Sequence, residues 1–143
     1  NSGALRQDIE AGLVTKGDLI SAFPFPNTVV ITKLKGSQVK KIFDHAAGMT
    51  NGILQVSENV RYSFSPGNTA QKIVINGELL NDNQEYWVAA PNFVTQGGDG
   101  YLEFNNSLEY IDSGVLVVDA TESFLKSIET YRPKYDGRIK VLD

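Results

Sequence analysis

Short strand-like segments separated by tight-turn signals dominate the middle of this chain, between residues 59 and 90. Residues 59–64 alternate apolar and polar side chains, and residues 71–75 and 85–90 are rich in β-branched and aromatic residues. The turn signals between them include Pro66-Gly67 and Asn76-Gly77. Short strands joined by such dipeptides form hairpins, so this stretch predicts a mostly antiparallel sheet.

The flanking sequence adds further strands and helices. Strands are predicted at 28–34, 53–56, 108–111 and 137–142, with turns at 51–52 and 112–114 and a polar loop at 102–107. A short helix is predicted at 15–23, with Thr15 as its N-cap. Two main helices are predicted at 38–47, ending at Gly48, and at 115–131. Their apolar positions are Val39, Ile42, Phe43 and Ala46 in the first, and Ala120, Phe124, Leu125 and Ile128 in the second. The pattern predicts one α+β domain: a mostly antiparallel, twisted sheet arrangement with two main helices.

Composition narrows the classes of function. The 143 residues suit one domain, and a net charge of −4 without a lysine or arginine cluster gives no reason to expect a nucleic-acid partner. The absence of cysteine excludes disulfides and thiolate chemistry, and the single histidine, His45, excludes a multi-histidine metal site. No apolar run is long enough for a membrane span. No signal peptide is visible and the first residue is not methionine, so we expect the chain to begin within a longer protein.

No complete set of catalytic residues is recognisable. A Ser-His-Asp arrangement would need His45 as its base, but His45 falls on a predicted helix far in sequence from any glycine-framed serine. There is no nucleophile elbow or Walker loop, and Gly97-Gly98-Asp99-Gly100 lacks the spacing of a dinucleotide fingerprint. His45 is therefore predicted to be a surface or second-layer residue, and binding is favoured over catalysis.

A glycine-rich loop at residues 91–101 follows the predicted strand that ends at Ala90. Phe93 offers a stacking surface and Asp99 can accept hydrogen bonds from hydroxyls, so the loop suits a ring joined to a sugar-like group. The alternative is a tight loop in which Asp99 caps its own backbone while Phe93 and Tyr101 fill the core.

Two segments near the N-terminus offer further candidate contacts. Pro24-Phe25-Pro26-Asn27 has a rigid backbone that either presents Phe25 to a ligand or forms a corner with Phe25 buried. Arg6 follows a turn of small residues and is either an anion contact or a solvated cation. Asn27 lies where the rigid segment meets the strand predicted at 28–34.

Five motifs resemble, in the same order, those of the C-terminal domain of the 5′-nucleotidase family, the two-domain metallophosphoesterases of bacterial periplasm and animal cell surfaces. The family patterns are Asn-Gly-Gly-Gly-Ile/Val-Arg, Pro-Phe-Gly-Asn, the Leu-x-Gly that opens a helix, Leu-Gln-x-Ser-Gly, and Asn-Phe followed by Gly-Gly-Asp-Gly-Tyr/Phe. Here they correspond to Asn1-Ser2-Gly3-Ala4-Leu5-Arg6, Phe23-Pro24-Phe25-Pro26-Asn27, Leu34-Lys35-Gly36-Ser37, Leu54-Gln55-Val56-Ser57, and Asn92-Phe93 with Gly97-Gly98-Asp99-Gly100-Tyr101.

The resemblance implies a role for each motif. Phe25 and Phe93 would sandwich a nucleoside base, and Asp99 would bind the ribose hydroxyls. Arg6 would contact phosphate, and Asn1 and Asn27 would contribute polar contacts around the base or phosphate. Tyr101 is then a packing residue.

The resemblance also implies what residues 1–143 do not contain. They would form the nucleotide-binding domain, whereas an N-terminal metallophosphoesterase domain with two divalent metal ions would perform the hydrolysis. Its metal-ligand motifs do not occur here. We therefore expect no catalytic residue, metal ligand or activity in the isolated chain, and a parent protein exported to the periplasm or cell surface. Two alternatives are a stand-alone module that binds nucleosides or other aromatic ligands, and a structural domain with a vestigial pocket.

Overall fold

The computed structural model describes residues 2–49 and 53–143. The helices in these ranges are α1 (Lys16–Ala22), α2 (Gly36–Gly48), α3 (Asn92–Thr95) and α4 (Val117–Ile128). The strands are β1 (Thr28–Lys35), β2 (Val60–Phe64), β3 (Ala70–Ile75), β4 (Glu78–Leu79), β5 (Glu85–Pro91), β6 (Glu109–Leu116) and β7 (Ile139–Val141). Turns of 3-10 helix lie at Ser2–Ala4, Gly98–Gly100 and Leu102–Asn106. None of the described helices combines the length and apolar character needed to cross a membrane.

The strands form two sheets, in the orders β5-β1-β6 and β4-β3-β2-β7. Every pairing is antiparallel except that of β2 with β7. The predicted α+β class with a mostly antiparallel arrangement is therefore confirmed. In the first sheet, β1 lies in the centre and pairs along its length with β5. This pairing places the start of β1 beside the end of β5, which brings the segments containing Phe25 and Phe93 together.

The core lies between α2 and the two sheets. The four apolar residues predicted for the buried face of α2 are all buried, which confirms the helical periodicity of this segment. Phe43 of α2 meets Tyr62 edge to face, with ring centroids 4.9 Å apart. Tyr62 in turn stacks on Phe64, at 5.7 Å. These ring contacts belong to the core cluster of buried residues, so α2 is anchored in the core beside the loops that follow the strands.

Several predicted boundaries were wrong. Residues 53–56 are irregular rather than a strand, and residues 112–114 belong to β6 rather than to a turn. The loop at 91–101 contains α3, and the polar loop at 102–107 contains a 3-10 turn. Helix α2 begins at Gly36, two residues before the predicted start, and α4 begins at Val117, two residues after it. The turn predicted at 51–52 lies outside the described residues.

Asp136 and Arg138, just before β7, form an ion pair that contacts the segment before β2. Arg138 donates from Nε to Asp136 Oδ1 at 2.8 Å and from Nη2 to Asp136 Oδ2 at 2.7 Å. Its Nη1 donates to the carbonyl oxygen of Val56 at 3.1 Å. These hydrogen bonds from Arg138 lower the pKa of Asp136 from 3.8 to about 2. The ion pair therefore connects β7 to the irregular segment before β2.

The lowered pKa of Asp136 predicts a pH-dependent contribution to stability. Because the folded pKa lies below the unfolded value, the contribution is present above pH 3.8 and is lost as the pH falls towards about 2. We expect Asp136→Asn to lower the melting temperature at neutral pH, and this difference from wild type to shrink over that acidic interval. Asp8→Asn, at an exposed aspartate, is the matched control. A difference that stays constant down to about pH 2 would contradict the prediction.

Candidate ligand-binding site

A cleft of about 500 Å³ lies where the N-terminal segment, the loop before β1 and the loop after β5 converge. Its described lining residues are Gly3, Ala4, Arg6, Phe25, Asn27, Phe93 and Asp99. Its volume is within the range of small-molecule sites. Five of the six residues predicted from the sequence therefore surround one cavity, although they span more than half of the chain. The sixth, Asn1, lies outside the described residues.

One wall of the cleft carries Phe25 and Arg6. Phe25 is 42% exposed, so the alternative of a corner with this ring buried is wrong. The guanidinium carbon of Arg6 lies 5.2 Å from the centroid of the Phe25 ring, within cation–π distance. The backbone N–H of Arg6 donates to the carbonyl oxygen of Ala22 at 3.0 Å, which attaches the N-terminal segment to the end of α1. The wall thus offers an apolar ring with a cation held against it.

A second part of the cleft lining is Phe93, at the start of α3. Its ring is 48% exposed, so the alternative in which Phe93 fills the core is also wrong. Gly98 lies directly against Phe93: a Cβ at this position would meet the Phe93 carbonyl oxygen and lie 2.6 Å from its ring. A glycine is therefore needed at position 98 because the loop folds back onto Phe93.

Asn92, which precedes Phe93, was not predicted as a site residue. Its Oδ1 accepts hydrogen bonds from the N–H of Phe93 at 2.8 Å and from the N–H of Thr28 at 3.3 Å. Thr28 follows Asn27, whose own carbonyl oxygen accepts from Val117 at the start of α4. One amide thus links the segments that carry Phe25 and Phe93. The available sequence signal was an asparagine at the junction of a strand and a loop, where its side chain commonly bonds nearby backbone.

Asp99 lines the cleft from a left-handed backbone conformation, with φ 53° and ψ 23°. Its carbonyl oxygen lies 2.8 Å from Nε2 of His45. His45 thus contacts the backbone of the loop and is not among the residues that line the cleft. His45 also meets Tyr101 edge to face at 4.7 Å. Tyr101 is only 1% exposed, which confirms it as a packing residue, and burial raises its pKa to about 12.

The chemistry of the cleft suits binding. It offers two exposed rings, the guanidinium of Arg6 and the carboxylate of Asp99, which match an aromatic ring, an anion and hydroxyl groups respectively. Among the described residues, no group of three or more histidine, cysteine or acidic side chains is close enough to hold a metal ion.

Comparisons with known proteins agree with these motifs. The 5′-nucleotidase C-terminal domain family matches residues 1–106. The trifunctional nucleotide phosphoesterase protein YfkN of Bacillus subtilis is 32% identical over 98% of this chain and 10% of its own length. Human 5′-nucleotidase is 31% identical over 98% of this chain and 28% of its own length.

A solved structure extends the agreement to the fold. The 5′-nucleotidase precursor from Thermus thermophilus superposes with a TM-score of 0.93 at 28% identity, covering all of this chain and 31% of that one. The chain thus spans less than a third of each of these three relatives. With the family match covering most of its length, the chain belongs to the 5′-nucleotidase C-terminal domain family.

Proposed function

We propose that this chain is the substrate-binding domain of a 5′-nucleotidase-type phosphohydrolase, and that Phe25 and Phe93 hold the nucleoside base between them. The observation that carries the proposal is the pair of exposed phenylalanines lining one cleft from separate segments. Large aromatic side chains are usually buried, and a base inserted between these two would cover both. Any planar aromatic base can stack in this way, so the rings supply affinity rather than a choice of base.

The polar groups of the cleft have complementary roles in this proposal. The carboxylate of Asp99 accepts hydrogen bonds from the two ribose hydroxyls, because a carboxylate has two acceptor oxygens for a vicinal diol. Arg6 binds the phosphate, and its position over Phe25 places the positive charge next to one of the two proposed base-stacking rings. Asn27 adds a polar contact around the base or phosphate. Asn1, for which the same role is proposed, lies outside the described residues.

Hydrolysis belongs, in this proposal, to an N-terminal metallophosphoesterase domain with two divalent metal ions. Residues 1–143 form the nucleotide-binding domain of that larger, exported enzyme. Among the described residues there is no cluster of histidine, cysteine or acidic side chains that could hold a metal ion. We therefore expect the isolated chain to bind nucleotides without releasing phosphate from AMP, even with added divalent metal.

Titration of the chain with AMP, adenosine and 2′,3′-dideoxyadenosine tests the proposal, with NMR of the backbone amides as the readout. AMP should bind more tightly than adenosine because of Arg6, and adenosine more tightly than the dideoxy compound because of Asp99. The amide resonances of residues 93 and 99 should shift with each ligand that binds. Absence of binding by all three ligands would contradict a nucleoside site.

A second observation separates an enzyme domain from a stand-alone binding module. We expect the coding sequence upstream of Asn1 to encode a metallophosphoesterase domain. If that sequence encodes no such domain, the proposed part in phosphate hydrolysis is contradicted, whereas the proposed nucleotide binding is not.

A further inference from the structure

His45 lies on the last turn of α2, next to the buried residues Ala46 and Ala47. Its Nε2 is 2.8 Å from the carbonyl oxygen of Asp99, across 54 residues of sequence. A carbonyl oxygen can only accept, so Nε2 carries the proton and donates it to this hydrogen bond. The helix is anchored in the core through Val39, Ile42 and Phe43. His45 therefore connects a helix buried in the core to the loop that carries Asp99.

The backbone of Asp99 is in the left-handed conformation, with φ 53°. Aspartate adopts this region more readily than most residues with a Cβ, so the contacts around the peptide decide how firmly it is held. Two turns close the loop, from the N–H of Gly100 to the carbonyl oxygen of Gly97 at 3.1 Å and from the N–H of Tyr101 to that of Gly98 at 3.2 Å. Neither turn involves the carbonyl group of Asp99 itself, which His45 contacts.

The imidazole is also packed closely against the peptide that follows Asp99. A Cβ at Gly100 would lie 2.8 Å from Cε1 of His45, so only glycine leaves room for the ring. Tyr101 closes the other side with its edge-to-face contact. His45 does not line the cleft, so direct contact with a ligand or a catalytic role is not indicated.

We propose that His45 is a positioning residue. Its hydrogen bond fixes the peptide between Asp99 and Gly100, and thereby the direction in which the Asp99 carboxylate enters the cleft. The consequence is selectivity for ligands with a vicinal diol, since only those ligands use the carboxylate. This inference rests on the proposed function in one respect, namely that Asp99 receives the ribose hydroxyls.

Three substitutions separate the hydrogen bond from the packing of the ring. His45→Gln places an amide donor near the position of Nε2, whereas His45→Asn places it near that of Nδ1. His45→Phe keeps an aromatic ring against Tyr101 but removes the donor. The measurement is the ratio of the dissociation constants of 2′,3′-dideoxyadenosine and adenosine for each variant, with the melting temperature as a check on folding.

The preference for adenosine should survive in His45→Gln and fall by about 3- to 10-fold in His45→Asn and His45→Phe, as expected for losing one hydrogen bond. Affinity for the dideoxy ligand should change by less than about twofold, because that ligand does not use Asp99. An unchanged preference in His45→Phe would overturn the inference. So would an equal loss for both ligands in all three variants, since that pattern indicates a purely structural residue.

A ligand-free measurement keeps this inference distinct from the proposed function. Amide hydrogen exchange at Gly100 and Tyr101 should be faster in His45→Phe than in wild type, and should return towards wild type in His45→Gln. Exchange in β7 should not change, because β7 lies in the other sheet from β5, the strand that leads into the altered loop. If wild type does not bind adenosine more tightly than 2′,3′-dideoxyadenosine, the proposed contact between Asp99 and ribose is wrong. The positioning role of His45 is then tested by amide exchange alone. Unchanged exchange at both amides would overturn the positioning role.

Discussion

Phe93→Ala is expected to weaken adenosine binding by about 5- to 150-fold, because stacking of a base on an aromatic ring contributes about 1–3 kcal/mol. Phe93 is 48% exposed and lines the cleft, so removing its ring should affect ligand binding more than the packing of the core. The melting temperature should therefore change little. Isothermal titration calorimetry of wild type and variant with adenosine measures the effect directly.

Phe124→Ala is the matched control for Phe93→Ala. Phe124 lies on α4 with 54% of its surface exposed, and its ring contacts Tyr131 outside the cleft. The same atoms are removed from a ring of similar exposure, so affinity for adenosine should stay within about twofold of wild type. Equal losses of affinity in the two variants, or wild-type affinity in Phe93→Ala, would contradict the stacking role.

Sequence patterns were sufficient to predict two kinds of element: helices with one buried face, and hairpins whose strands are joined by a short turn. The α2 segment was predictable because a helix with one buried face must repeat apolar residues at helical spacing. The hairpin of β2 and β3 was predictable because strand composition and its turn residues agreed. In both cases the sequence neighbours of a residue determine its conformation, so the pattern is visible without knowledge of distant contacts.

The elements that were predicted wrongly depend on distant partners. Residues 112–114 have the composition of a turn, yet they continue β6 because they lie beside β1. Ser113 Oγ donates to the carbonyl oxygen of Val29 at 2.6 Å, and Gly114 accommodates the irregular register with φ 69°. Conversely, residues 53–56 have strand composition but are irregular and belong to neither sheet. There the carbonyl oxygen of Leu54 accepts from the hydroxyl of Tyr62 instead.

The same distinction holds for the candidate site. Phe25 and Phe93 could be proposed from sequence because rigid or glycine-rich segments present aromatic side chains. Asn92 and His45 could not, because each acts on backbone groups 64 and 54 residues away. A side chain that bonds distant backbone has no characteristic spacing, and only the folded chain shows its partner.

Gly36→Ala is expected to lower the free energy of unfolding by about 1–3 kcal/mol or more, the cost typical of overpacking. Gly36 is the first residue of α2 and is buried. A Cβ there would collide with the carbonyl oxygen of Asn81 and lie 3.0 Å from the Cα of Asp82. The obstructing atoms are backbone, and the N–H groups of Gly36 and Ser37 are hydrogen-bonded to this same segment, which prevents its easy retreat.

Gly48→Ala provides the matched control at the other end of α2. A Cβ at Gly48 would meet no atom within 4 Å, and Gly48 is exposed. Alanine is the better helix former by about 0.5–1 kcal/mol, so helix propensity alone predicts that both substitutions stabilise the protein. The close approach of residues 81–82 to Gly36 instead predicts that Gly36→Ala destabilises the protein while Gly48→Ala does not. Urea denaturation should therefore show a lower midpoint for Gly36→Ala and an equal or higher one for Gly48→Ala. Higher midpoints for both variants would contradict the prediction. They would show that the backbone at residues 81–82 moves to accommodate a Cβ at position 36 at little cost in stability.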